Sequence, residues 1–187
     1  MSELRKYIYS ESDNVSRLYR ANNRRIEPTA REKFDSYGDQ WEKTYFDEKS
    51  GGFVVTEKGR IEDGNKSGRN KDVFDREEEV CRFFAEKGFQ VEHIAEPEKI
   101  KAPDARIVRG KHSLIRINGE LAEIKDTRSV TNVVGYGTDA VSKKKAKVVI
   151  FRFTERNPEL VNKVYELARK NIHGFYYFLG DNQYKEF

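Results

Sequence analysis

The sequence predicts an α/β chain on the α+β border. Its core order is αβββαβ, with a mixed sheet flanked by helices, preceded by an irregular N-terminal segment. Three observations carry this. Apolar strands and amphipathic helices alternate through residues 71–187, the order that lays helices on the faces of a sheet. The run "VVIFRF" (148–153) is apolar at most positions, as a strand covered on both faces should be. Residues 1–70 are polar and irregular by comparison, which divides the chain into 1–70 and 71–187.

The elements follow in order. "DNVSRLYRANNRR" places Val15, Leu18 and Tyr19 on one side of a short helix. "WEKTYFDEKSGGFVVTEKG" is an aromatic strand, a Ser-Gly-Gly turn and a second strand, which is a hairpin pattern. "EDGNKSGRNKD" is rich in Gly and Asn, predicts a loop, and sets the boundary. "VFDREEEVCRFFAEKG" repeats Phe74, Cys81 and Phe84 at helical spacing, with Gly88 as its stop. "FQVEHIAE", "PDARIVRG" and "GELAEIKDT" are three strands. "SVTNVVGYGTDAVSKKKAK" is a helix weakened by Gly135 and Gly137. After "VVIFRF", "NPELVNKVYELARKN" opens with Pro158 and lines Leu160, Val164, Leu167 and Ala168 on one face. "GFYYFL" closes the sheet.

Composition narrows the function classes. Of 187 residues, 36% are hydrophobic and 36% charged, so the core is modest. Twelve Phe and ten Tyr supply large side chains to bury. The net charge of +4 permits a polyanionic partner without demanding one. Residues 1–31 hold seven basic against four acidic side chains, either a solvated arm or a polyanion-binding one. Within that arm, Tyr7, Tyr9 and Tyr19 stack on bases or pack on the core. The one cysteine, Cys81, excludes an internal disulfide and fits a helix's apolar face. No apolar run approaches the ~18 residues of a membrane span, and "MSELRKYIYSESD" lacks a signal-peptide core. No membrane partner is expected.

The chemistry concentrates in "PDARI" (103–107) and "AEIKDT" (122–127). Along a strand, side chains alternate, so Ala122, Ile124 and Asp126 face one way while Glu123 and Lys125 share the other face. Asp104 follows Pro103, which suits a strand entry or an edge. If the two strands are neighbours, Asp104 comes beside Glu123. Two carboxylates in a half-buried site repel each other, and a divalent cation removes that cost. A lysine beside such an ion can hold a water in line with a phosphodiester or offset charge on the phosphorane. Taken alone, an acid-x-Lys triplet is more often a cross-strand ion pair on a solvated sheet. An Asp after Pro is usually a turn residue. The 18 residues between Asp104 and Glu123 leave room for a hairpin that unites them.

"PD" at 103–104 and "EIK" at 123–125, within the order αβββαβ, resemble the PD-(D/E)XK nuclease superfamily and its restriction-endonuclease-like core. The wider stretch, with "FFAEKGF", "VEHIAEP", "KAPDARI", "AEIK" and "VSKKKAKVVIF", resembles a narrower group over about residues 71–180. That group is the C-terminal nuclease toxin domains of contact-dependent growth-inhibition (CdiA-type) proteins. The resemblance implies that Asp104 and Glu123 bind a divalent metal, magnesium first, with manganese or zinc as alternatives. It implies that Lys125 orients the nucleophile. It also implies a further metal-binding acid on the first helix, Glu77, with Glu78 its rival. Lys143 and Lys144 read as backbone-phosphate contacts or as helix-end lysines favoured by the macrodipole. Thr127 and Arg128 fall at the rim. The implied substrate is RNA, tRNA included, or DNA. The implied partner is a cognate immunity protein, and the implied setting is the cytoplasm after delivery from a secreted parent protein.

Two other readings fit the same residues. One is a nucleic-acid-binding or phage-structural module on an inactive nuclease scaffold. The other is a metal-free tRNA-cleaving toxin using His and Lys as acid and base. For the latter, His93, His112 and His173 are the available histidines, and their separation gives no zinc pattern.

Overall fold

The structure, a computed structural model, describes residues 28–66, 68–95, 105–109 and 119–187, with 105–109 described in their backbone alone. The helix expected in the basic arm, Tyr7, Tyr9, Tyr19, Asp104 and His112 lie outside the described residues. The elements are α1 (Ala30–Asp35), β1 (Trp41–Phe46), β2 (Phe53–Glu57), α2 (Lys58–Gly64), α3 (Arg69–Ala85), β3 (Phe89–His93) and β4 (Ala105–Arg109). They continue with β5 (Glu120–Thr127), α4 (Val130–Ser142), β6 (Val148–Phe153), α5 (Pro158–Ala168), β7 (Gly174–Phe178) and β8 (Lys185–Glu186). From α3 to β7 this is the expected α-β-β-β-α-β-α-β.

The strands form a single mixed sheet in the order β1-β2-β3-β4-β5-β6-β7-β8. The centre is β3-β4-β5 antiparallel, then β5, β6 and β7 parallel. The sheet runs through the boundary drawn at residue 70. The β1–β2 hairpin joins it by the parallel pairing of β2 with β3, Val54 opposite Val91.

Both faces are covered. On one, α3 lays Val80, Cys81 and Phe84 onto Val91, Ala122 and Ile150. On the other, α4 and α5 lay Val133, Ala140, Leu160 and Leu167 onto Val149, Phe151 and Phe153. The short α1 adds Phe34 to Phe53 and Val55, its start fixed by a Thr29–Glu32 capping box. At the end of α3, Gly88 adopts φ +87 and its N–H bonds Ala85 O at 2.9 Å, the stop expected of it. No helix among the described residues is long and apolar enough to cross a membrane.

The stretch 62–72, expected to be a loop, is mostly helical: α2 extends to Gly64 and α3 begins at Arg69. Gly64 is there for close approach, since a Cβ on it would meet Phe74 Cγ at 2.4 Å. The two glycines of α4 also differ. A Cβ on Gly137 would meet Leu167 Cδ1 at 2.5 Å, whereas at Gly135 it meets nothing within 4 Å. Leu167 is fully buried and cannot swing aside. Gly137→Ala should therefore destabilise the fold by about 1–3 kcal/mol through overpacking of α4 on α5. Gly135→Ala should stabilise it by about 0.5–1 kcal/mol. Urea unfolding midpoints that move in opposite directions are the expected result.

Candidate active site

Alternation on β5 builds the site. Ala122 and Ile124 turn into the core beneath α3. Glu123 therefore turns to the α4 side, where its side chain is wholly buried. A carboxylate so placed needs counter-charges, and two are present. Lys125 Nζ and Lys144 Nζ both donate to Glu123 Oε1, the latter at 2.7 Å. Glu123 Oε2 has no hydrogen-bond partner among the described residues. The lysine side chains are 24% and 18% exposed, so they stand between the buried acid and solvent. Among the described residues the cluster sets two ammoniums against one carboxylate, a balance that suits an anion.

Lys144 arrives by a turn. Beyond the end of α4, Lys145 adopts φ +60. The chain folds back so that Ala146 N–H bonds Ala140 O at 3.0 Å and Lys147 N–H bonds Leu121 O at 2.7 Å. These backbone bonds hold the segment against β5. Tyr136, on α4, completes the rim, with Lys125 Nζ 5.8 Å from its ring centroid.

The other expected residues divide. Ala105, next after Asp104 in the chain, pairs with Ala122, next before Glu123. Lys143 is exposed and bonds Asp139 one turn back at 2.8 Å. Thr127 is buried, and its Oγ1 accepts the Ser129 N–H at 3.0 Å, shaping the entry to α4. Arg128 is exposed and pairs with Glu155 at 3.2 Å.

Glu77 is not brought to Glu123. It is buried on the α3 face of the sheet, where Arg60 and His93 hold it, His93 Nε2 at 3.0 Å. Its rival Glu78 is held there too, by His93 Nδ1 and by Thr56 Oγ1, each at 2.8 Å. The physical reason is β5 itself: α3 packs on its even positions, while Glu123 is odd. Among the described residues, no group of three or more His, Cys, Asp or Glu side chains is placed to hold a metal ion.

The α3-face cluster is an electrostatic unit that the sequence does not announce. His93 is fully buried, with a carboxylate on each ring nitrogen. Burial pulls its pKa down, but the hydrogen bonds and charges of Glu77 and Glu78 outweigh this and hold it above the ordinary value. Burial pushes both glutamates up, and His93 outweighs it, with Arg60 helping at Glu77 and Thr56 at Glu78. Both therefore end below the usual range. The shift favours the protonated ring, in which both nitrogens donate, one to each carboxylate. The Arg60 Nε, 3.2 Å from Nε2, is then a second cation on Glu77 rather than a donor to the ring.

Fold and site together define a mixed α/β domain whose sheet carries a buried, lysine-clamped carboxylate. No protein-family model matches the chain, and no curated protein does. Among solved structures it is similar to a chain from a CdiA-CT/CdiI toxin and immunity complex of Burkholderia pseudomallei. The identity is 14% and the TM-score 0.47, over 66% of this chain and 89% of that one. A likeness so distant carries no residue roles.

Proposed function

We propose that this chain is a metal-dependent nuclease that hydrolyses phosphodiester bonds of RNA, tRNA included, or of DNA, as a toxin-type domain. Glu123 carries the reading: a fully buried carboxylate with two lysines on one oxygen and no described partner on the other. Structural ion pairs do not require a second ammonium, nor an oxygen left bare in the interior.

The residues fit a divalent cation in one respect. Glu123 Oε2 is a buried oxygen without a partner among the described residues, and the pairing of Ala105 with Ala122 supports Asp104 as the second carboxylate. Such an ion, magnesium first with manganese or zinc as alternatives, would supply Lewis-acid polarisation of the phosphoryl oxygens. Glu77 is left out of this ligand set, since the sheet separates it from Glu123.

The chain's own groups do the rest. Lys125 orients the attacking water through its ammonium protons. Lys144 offsets charge that grows on the non-bridging oxygens. Lys143 contacts the neighbouring backbone phosphate, and Arg128 lies at the rim. The toxin setting rests on the sequence motifs. It brings a cognate immunity protein that covers the site, and action in the cytoplasm after delivery from a secreted parent.

A second reading has its own observation: Lys125 and Lys144 already neutralise Glu123, as they would on an inactive nucleic-acid-binding scaffold. Incubating the chain with labelled RNA and DNA, with and without EDTA, separates the readings. Cleavage that EDTA abolishes and magnesium restores is the expected result. Cleavage that survives EDTA would overturn the metal reading, and binding without cutting would favour the scaffold.

A further inference from the structure

Tyr136 stands beside the site and is not used by the hydrolysis above. It is one of three large hydrophobic side chains exposed among the described residues, at 37%. The inward face of its helix is Val133, Gly137 and Ala140, so the ring is not needed to fill the core. Its hydroxyl lies 3.4 Å from Asn132 Nδ2, one turn earlier. Its ring lies 5.8 Å from Lys125 Nζ. On the neighbouring flank of the helix, Gly135 presents open space where any other residue would present a side chain.

From solvent inward the order is aromatic ring, ammonium, buried carboxylate. That order matches the parts of a nucleotide. A phosphate seated on Lys125 and Lys144 leaves the base one sugar away, within reach of the Tyr136 ring. An aromatic face accepts any base by stacking. A base inside a continuous duplex has both faces occupied by its neighbours, so it reaches an outside ring only when unpaired or extruded.

We propose that Tyr136 is a stacking platform for an unpaired base next to the phosphate held by Lys125. The site then takes single-stranded or looped nucleic acid in preference to continuous duplex. This rests on the nuclease reading for the position of the phosphate, and it adds the class of substrate. The ring is also placed to shield Lys125 by a cation–π contact. That role alone would make no distinction between strand forms.

The test is binding of the full chain, in EDTA, to fluorescent oligonucleotides of one sequence. The probes are single-stranded RNA, single-stranded DNA, each with one abasic position in a matched version, and the blunt duplex. The single strand is expected to bind more tightly than the duplex. Tyr136→Ala should weaken single-strand binding by about 5- to 100-fold, the range for loss of one stacked base, and leave duplex binding unchanged. Tyr136→Trp should retain it. The abasic probe should bind wild type more weakly and Tyr136→Ala no more weakly than the intact strand does. The RNA and DNA arms show which sugar the site accepts.

Equal loss on single strand and duplex, or no loss at all, overturns the proposal, and so does failure to bind any probe. If strand discrimination holds while the EDTA assay shows no cleavage, the nucleolytic reading falls and the platform stands. If cleavage holds and Tyr136→Ala cuts both forms like wild type, the platform falls alone.

Discussion

Glu123→Gln is expected to lower cleavage by about 10²- to 10³-fold, the scale of losing one preorganised charge from an active site. Glutamine keeps the shape and one acceptor oxygen, so both lysines retain a hydrogen-bond partner. What disappears is the charge that sets the lysines in place and would ligate the ion. The fold should survive, because both lysine side chains already reach solvent. A stability loss of about 1–3 kcal/mol is expected from the weakened pairing.

Lys125→Ala should lose cleavage on the same scale while binding nucleic acid nearly as well, since Lys144 remains. Removing both lysines is different in kind. It strands a wholly buried carboxylate, and such orphaned charges cost about 3–5 kcal/mol. The double variant should therefore be destabilised by more than the sum of the single changes, which a double-mutant cycle on unfolding midpoints would read. Wild-type cleavage in Glu123→Gln would remove the proposed site altogether.

Particular residues explain how much of this the sequence could reveal. Alternation in "ELAEIK" placed Glu123 and Lys125 on one face, and the structure puts them there, because burial on both sides of β5 leaves the register no freedom. The run 148–153 is buried throughout, including Arg152. That one charge is accommodated by Glu79 at 2.7 Å and Asp126 at 3.4 Å.

Lys144 was legible as a phosphate contact or a helix-end lysine, but how it reaches Glu123 was not. The helix stops at Ser142, and a left-handed turn at Lys145 delivers the side chain. For Glu77 the apolar face of its helix was legible, but which sheet face that helix would cover was not. Periodicity within one element does not say which side of another it meets. α2 was hidden by Gly64, whose lack of a side chain serves Phe74 rather than a loop. With α2 hidden, Arg60 and the cluster around His93 were hidden too. That cluster draws one or two side chains from each of four consecutive elements, β2, α2, α3 and β3, and rests on no pattern within any one of them.

His93→Ala carries the largest expected loss of stability from a single change, about 3–5 kcal/mol, because it leaves the buried Glu77 and the largely covered Glu78 facing a vacated ring. Linkage gives a more specific signature. The folded-state pKa of His93 is raised above 6.5, so its contribution is full below that value and is lost as pH rises through the folded one. Those of Glu77 and Glu78 are lowered below 4.5, so theirs is full above that value and is lost as pH falls through the folded ones. The cluster is therefore most stabilising between 4.5 and 6.5 and weakens on both sides. His93→Gln, which keeps much of the volume without the charge, should flatten the alkaline limb of a urea-midpoint profile. Parallel profiles for wild type and variant through that limb would show that the imidazolium does not hold α3 to the sheet. The same variant bears on mechanism. His93 is fully buried, on the opposite face of β5 from Glu123, and cannot pass a proton to a nucleic acid. Cleavage per folded molecule should therefore be unchanged in His93→Gln, and a matched loss of cleavage and alkaline stability would revive a histidine-based reaction.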